Sequence, residues 1–374
     1  MDKAEALARI KADQRPIAPD QKYQVDRFQP GDAWGVARLF YEIYGEDYPV
    51  EDSYIPERII QANAEGRVRT VVTRTAAGEV IGQTALYRSS PPNPNMYEYG
   101  QMLLVHAYRN SLIAGRMNQF VGKHLVGRDG VDAAFGEAVC NHLATQKMSK
   151  GMNFFPCAME LGLMPEEAYE REGAVGRVSC LVFVRVDVDP PQPLFIPECW
   201  RELAEAGLKA FTLARQAAVS GQELPPDGAT DMQVQHFDFA GVARCHVAGV
   251  GADFPARLRA ELDAAAQRGD AVVQFYLGLN SPWSGGAARA LRQAGCFCGG
   301  VAPCWFPAGQ GGDALLVQRF LRPVPLAAIN LFSEEAEAFC GLVLRDMERA
   351  GREFGAPVGI LAPAGPAEDE QPAP

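Results

Sequence analysis

Residues 104–120, LVHAYRNSLIAGRMNQF, change character midway. A short apolar run passes through Tyr108, Arg109, Asn110 and Ser111. Then Ile113, Met117, Phe120, Val121 and His124 recur at i, i+4, i+7, i+8 and i+11, one face of a helix. A strand that enters a helix through a polar turn can hold an anion. The first amides of a helix have no partner within it and carry the positive end of its dipole. The same spacing also suits a plain strand–helix connection with Arg109 in water.

The elements around this stretch give it a frame. A polar N-terminal helix and a Pro-containing arm precede a strand at 23–28. Pro30-Gly-Asp32 gives a turn and an N-cap for a helix with Val36, Leu39, Phe40 and Ile43 on one side. Residues 68–75 and 80–88 read as a hairpin around AAGE, and 96–106 as the strand that leads into the turn. A helix to about Val126, a strand at 133–140, a helix at 143–150 and strands near 157–161 and 175–186 follow. The segment DVDPPQPLFIP, 187–197, reads as a boundary because prolines disfavour both helix and sheet ladders. Beyond it come a helix from Glu198 to about Val219, strands at 232–239 and 242–250, and a helix bounded by Asp253 and Gly269. The strand VVQFYLGL, a Gly-Gly-Ala-Ala helix, two strands and a last helix capped at Ser333 complete the pattern. "GEAVCNHLATQKMSKGMNFFPCAMELG" and "FYLGLNSPWSGGAARALRQAGCFCGGVAP" both run strand, Asn, helix, Cys-containing strand, which suggests an internal repeat.

Composition narrows the classes. The chain has 374 residues, 48% of them apolar, enough for one large or two ordinary domains. A net charge of −11 argues against a general binder of nucleic-acid backbone, which needs Lys and Arg in excess, but leaves room for a local basic site. The N-terminus carries charges every few residues and no signal-peptide core, and no run of 18 apolar residues suggests a membrane span. The nine cysteines are scattered, and Cys296 and Cys298 lack the matching second pair a zinc site wants. Free thiols in the cytoplasm and no metal site are therefore expected. Cys296, Cys298 and Cys304 read as buried strand residues, since no His follows to activate them.

Over roughly residues 22–188 the chain resembles the GNAT family, the Gcn5-related N-acetyltransferases. The resemblance rests on element order and on "LVHAYRNSLIAGRM". In that family a strand ends in a Tyr-Arg pattern and Arg/Gln-x-x-Gly-x-Gly/Ala opens the helix. Here Arg109 fills the first position and Ala114 the last, while Leu112 stands where the middle Gly is expected. The resemblance implies a mixed, mostly antiparallel twisted α/β sheet flanked by helices, with two GNAT-like domains in tandem. It implies that the anion is the pyrophosphate of acetyl-CoA or another acyl-CoA. The cofactor would lie against Leu103, Leu104 and Val105, the turn Arg109, Asn110, Ser111, Leu112, Ile113, Ala114 and Gly115, and Asn141, whose other reading is a helix N-cap.

For catalysis, the family's Tyr that protonates the leaving thiolate falls on Met148, which cannot donate a proton. A base is sought among Glu98, Glu137 and His142, in that order for the carboxylates, each of which also reads as an ordinary polar residue. The second half resembles the C-terminal part of the same fold but lacks the phosphate turn. "GVGADFPARL" stands in its place, and Asp253 would repel a phosphate. The organisation expected is an arm at 1–21, an acyl-CoA-binding domain at 22–188, a linker and helix at 189–230, a degenerate domain at 231–353 and a disordered tail at 354–374. The function expected is acyl transfer to a small-molecule or peptide amine. The alternative is a non-catalytic acyl-CoA-binding module, and a homo-oligomer is compatible with either.

Overall fold

The computed structural model describes residues 1–361 other than Gln14, Asn110, Arg171 and Glu172. The chain is a mixed α/β protein whose strands pair mostly antiparallel and are flanked by helices. It divides into two compact units, one of Met1–Ser89 with Tyr97–Ala134, the other of Ser90–Met96 with Phe135 onward.

The first unit opens with α1 (Lys3–Ala12), capped by the Asp2 side chain on the Glu5 amide. Its Ala6, Leu7 and Ile10 are buried, so this expected helix packs into the unit's core. β1 (Tyr23–Arg27), α2 (Ala33–Tyr44), α3 (Pro56–Ala64), β2 (Val68–Thr75), β3 (Val80–Tyr87), β4 (Met96–Leu104) and α4 (Ile113–His124) follow. The strands run β1-β2-β3-β4, antiparallel throughout. Val36, Leu39 and Phe40 of α2 and Ile113, Met117 and Val121 of α4 are buried, as their helical spacing predicts. α3 was not foreseen.

The second unit contains β5 (Ala133–Val139) from Phe135 on, α5 (Ala144–Gly151), β6 (Phe155–Met164), β7 (Val178–Val186), β8 (Gln192–Pro197), α6 (Arg201–Leu208), β9 (Arg215–Ser220), β10 (Asp231–Phe237) and β11 (Val242–Gly249). These are followed by α7 (Phe254–Arg268), β12 (Val272–Gly278), α8 (Ser284–Gln293), β13 (Phe297–Ala302), β14 (Ala314–Phe320), β15 (Val324–Leu326), α9 (Glu334–Phe354) and β16 (Gly359–Leu361). Its main sheet runs β5-β7-β6-β13-β14-β12-β11-β10. β11 and β12 are parallel, joined through α7, while β12, β14 and β13 pair antiparallel. In chain order, β3-β4-α4-β5-α5-β6-β7 and β10-β11-α7-β12-α8-β13-β14 are the same sequence of element types.

Three expectations change. The compact units do not part at residues 187–197, because β6 of the first half pairs with β13 of the second, Gly300 opposite Ala158. The boundary segment itself contains a strand: β8, with Pro193 and Pro197, pairs in parallel with β9 in a two-stranded sheet. Proline is tolerated on such edges because it need not donate to a ladder. β9 in turn occupies residues expected to extend the helix after Glu198, which ends at Leu208. At the C-terminus, Gly359–Leu361 pairs in parallel with β15, so the expected disordered tail does not begin at 354. Residues 362–374 lie outside the described residues.

Candidate functional site

In the first unit, β4 ends at Leu104 and a single helical turn, His106–Tyr108, leads to Arg109. The Tyr108 hydroxyl donates to the Ala18 carbonyl and accepts from the Gln21 amide, which fixes this corner to the chain before β1. Ser111 Oγ donates to the Tyr108 carbonyl at 2.6 Å and accepts from the Ile113 amide at 3.3 Å, acting as a local cap. Leu112 has φ −78°, a conformation open to any residue, so the expected Gly is not needed for the backbone here. Its side chain is 74% exposed. Ala114 is half-buried and Gly115 exposed, and a Cβ added at Gly115 would meet nothing within 4 Å. No acidic residue stands in the first turn of α4. This is an open, uncrowded helix start, with Arg109 three residues before the N-cap Leu112, suited to an anion. Asn110, expected to take part, lies outside the described residues.

Just before this turn β4 carries an irregularity. Gln83 faces Leu103 and Ala85 faces Gly100, so Gln101 and Met102 together oppose Thr84, a β-bulge. Gln101 takes φ +54°, a left-handed conformation few side chains adopt. Thr84 Oγ1 donates to the Gly100 carbonyl and Gln83 Nε2 to that of Gln101, which holds the bulge in shape. The residues after it rejoin the ladder, Leu103 and Leu104 facing Gln83 and Gly82, and the Val105 amide donates to Ile81. Glu98 sits half-buried on the same strand, and its Oε1 accepts from the Tyr87 hydroxyl at 2.5 Å. Nearby, Gln101 Nε2 donates to the Tyr48 hydroxyl, whose pKa burial pushes up to about 12. The bulge went unread in the sequence, although Gly100 inside an otherwise regular strand was a signal for it.

In the second unit, the segment after β5 is tied down from elsewhere in that unit. The Cys140 carbonyl accepts from the Asn330 amide and the Asn141 carbonyl from Asn330 Nδ2. Buried Gln146 donates to the carbonyls of Val139, His142 and Asn330. The N-cap of α5 is Leu143, so Asn141 is not the cap that its residue type suggested. Asn141 and His142 are half-buried, and Met148 lies half-buried on α5.

Glu137 enters a buried polar cluster. Arg244 of β11, 2% exposed, reaches Glu160 Oε1 of β6 at 2.6 Å, Glu137 Oε1 at 3.2 Å and Gln274 Oε1 of β12 at 2.7 Å. Glu160 Oε1 also accepts from Gln274 Nε2 and the Tyr276 hydroxyl, whereas its buried Oε2 has no partner among the described residues. Tyr276 stacks on Trp305 with centroids 3.9 Å apart, and the Arg244 guanidinium lies 5.3 Å from the Tyr276 ring. Strands far apart in the sheet order are thus bridged by one side chain, so the sheet of this unit folds over on itself. Burial first, then the Glu137 carboxylate, pushes the Glu160 carboxyl up to about 8 against the opposing pull of Arg244. His246 Nδ1 accepts from Trp305 Nε1, and burial, then Arg244, holds its imidazole down near 3. Sequence reading found Glu137 but not its partners, which lie up to 107 positions away. Cys296, Cys298 and Cys304 are buried, with thiols that burial pushes upward.

The turn before α7, matching the phosphate turn in element order, is filled by its own chain. A Cβ at Gly251 would lie 2.4 Å from the Gly228 carbonyl oxygen and 2.6 Å from the Thr230 nitrogen. Asp253 Oδ1 accepts from both the amide and the hydroxyl of Thr230 at 2.7 Å. One turn is open and the other closed. Among the described residues no helix is long and apolar enough to cross a membrane.

No protein-family model and no curated protein matches the sequence. Solved structures of acetyltransferases are similar to it. A ribosomal-protein-S5-alanine acetyltransferase from Vibrio fischeri is 11% identical, with 46% of this chain and 97% of that one covered and a TM-score of 0.35. An N-acetyltransferase from Staphylococcus aureus Mu50 is 13% identical, covering 44% and 98%, with a TM-score of 0.35. An acetyltransferase of the GNAT family from the same organism is 12% identical, covering 44% and 99%, with a TM-score of 0.32. These are likenesses of fold, each over less than half of this chain.

Proposed function

We propose that the chain transfers an acyl group, acetyl first among them, from acyl-coenzyme A to an amine, with the cofactor held by the first of two GNAT-like repeats. The observation that carries the reading is the contrast between the two turns. The start of α4 offers open backbone and Arg109 where a pyrophosphate would sit, while the start of α7 is closed by residues 228–230. In this reading Arg109, Asn110, Ser111, Leu112, Ile113, Ala114 and Gly115 hold the pyrophosphate, and Leu103, Leu104, Val105 and Asn141 line the pantetheine arm. The bulge at Gln101 and Met102 turns β4 amides out of the ladder, and such amides can stabilise the oxyanion formed when the amine attacks the thioester.

Glu98 is the preferred base. Glu137 is already engaged by Arg244 within the buried cluster. His142 remains a candidate for the acid in place of the Tyr that Met148 replaces. The acceptor is a small molecule or peptide amine.

Thermal unfolding with and without millimolar acetyl-CoA tests the cofactor site. Ligand at 100 times its dissociation constant adds about 2.7 kcal/mol, a rise of several degrees. The wild type is expected to show the rise and Arg109→Glu to lose it, and no rise in the wild type refutes the site. Thiol release from acetyl-CoA with a panel of amines then tests the chemistry: release that falls at least tenfold in Glu98→Gln supports it. Binding without release under any amine points to a non-catalytic acyl-CoA-binding module.

A further inference from the structure

A second opening lies in the first unit, on residues that the acyl-transfer reading does not use. Between β1 and α4 runs a groove of about 400 Å³, lined by Tyr23, Gln24 and Val25 from the strand and by Arg116, Gln119, Phe120, Lys123 and His124 from the helix. That volume lies within the range of small-molecule sites, roughly 300–1,000 Å³. The helical residues fall at i, i+3, i+4, i+7 and i+8, so they form one face of α4. Three of the five carry a basic group. None of the lining residues belongs to the 109–115 turn.

The charge on this face is not neutralised from within. Among the described residues neither Arg116 nor Lys123 has a carboxylate partner, in a chain whose net charge is −11. Two nearby carboxylates are already engaged, Asp129 with Arg27 and Asp26 with Arg74. The helix dipole accounts for Lys123 and His124 in the last turn of α4. It does not account for Arg116, the fourth residue of the helix, where the dipole disfavours a cation. The Arg116 guanidinium instead lies 5.1 Å from the centre of the Tyr23 ring, which presents its charge beside an aromatic wall. Phe120 and His124 form a ring pair with centroids 4.7 Å apart. Arg27 donates to the His124 carbonyl at 2.7 Å, so the end of β1 is tied to the end of α4 and the groove walls are fixed.

We propose that this groove binds a small planar aromatic ligand carrying a phosphate, of the nucleoside monophosphate class, with the phosphate against Arg116 and Lys123 and the ring against Tyr23 and Phe120. The proposal does not depend on the acyl-transfer reading. Calorimetric titration of the full chain with AMP, adenosine and inorganic phosphate tests it, on the wild type and on Lys123→Glu, Phe120→Ala and Arg109→Glu. AMP is expected to bind the wild type, with adenosine and phosphate each at least tenfold weaker. Lys123→Glu and Phe120→Ala should each weaken AMP at least tenfold, and Arg109→Glu should leave it unchanged. Lys123 is exposed, so its variant should retain the wild-type far-UV circular dichroism. Absence of AMP binding at millimolar concentration overturns the proposal. So does binding that Arg109→Glu abolishes and Lys123→Glu leaves intact, which places AMP at the phosphate turn. Equal affinity for AMP and phosphate removes the aromatic half of the site and with it the ligand class.

Discussion

Replacing Arg244 by Met should destabilise the second unit severely, by an amount the cluster allows one to work out. The guanidinium makes three hydrogen bonds, two of them to carboxylates, from a position 2% exposed. Met keeps most of the apolar stem but leaves Gln274 Oε1 without its donor, and it leaves Glu160 and Glu137 facing each other across a site with no cation. Removing one partner of a buried ion pair costs about 3–5 kcal/mol. At about 2–4 °C per kcal/mol for a unit this large, the melting temperature should fall by roughly 6–20 °C. The loss should grow with pH. In the wild type Arg244 pulls the Glu160 carboxyl down to its value of about 8, so above that pH the variant must bury either a carboxylate without its cation or a proton held against the solution. Differential scanning calorimetry at pH 6 and pH 9 measures both effects, and the double variant Arg244→Met/Glu160→Gln should recover more than half of the loss at pH 9. A fall of less than about 1 kcal/mol at both pH values would refute the reasoning, since that is the scale of a surface pair.

Two further outcomes follow from the same unit. Folding raises the Glu160 carboxyl from an ordinary value to about 8, so between those values the native state holds a proton that the unfolded chain lacks. Stability should therefore decline as pH rises toward 8, by up to about 1.4 kcal/mol per pH unit. Glu160→Gln should flatten that part of a stability profile taken by urea unfolding, and an unchanged slope would assign the titration elsewhere. Gly207 on α6 lies where a Cβ would be 2.5 Å from the Cys157 carbonyl oxygen and 3.2 Å from the Val301 nitrogen. Gly207→Ala should cost about 1–3 kcal/mol despite alanine's better helix propensity, because both obstacles are backbone and cannot rotate away. A gain in stability would mean that α6 can lift from β6 and β13 freely.

What the sequence determined by itself was local. Periodicity placed α2, α4 and α7 and buried their apolar faces, and Ser333 capped α9, its Oγ accepting from the Ala336 amide. The chemistry of a helix start also marked the 109–115 turn, because unpaired amides and an adjacent Arg depend only on neighbours in the chain. Prolines misled at β8, since whether a proline harms a strand depends on whether the strand lies at an edge, and edges are decided by the sheet.

Tertiary structure alone decided the rest. The open space at Gly115 and the closed space at Gly251 look alike in sequence, as glycines near a helix start, and differ only in what another segment places there. The bulge at Gln101 arises from the register between β3 and β4. Glu137 was legible as a carboxylate in a strand, but its commitment to Arg244 is set by a sheet that folds over on itself. Likewise β6 meets β13 across the expected domain boundary, because a strand edge pairs with the edge that the fold brings to it, whatever lies between them in the chain.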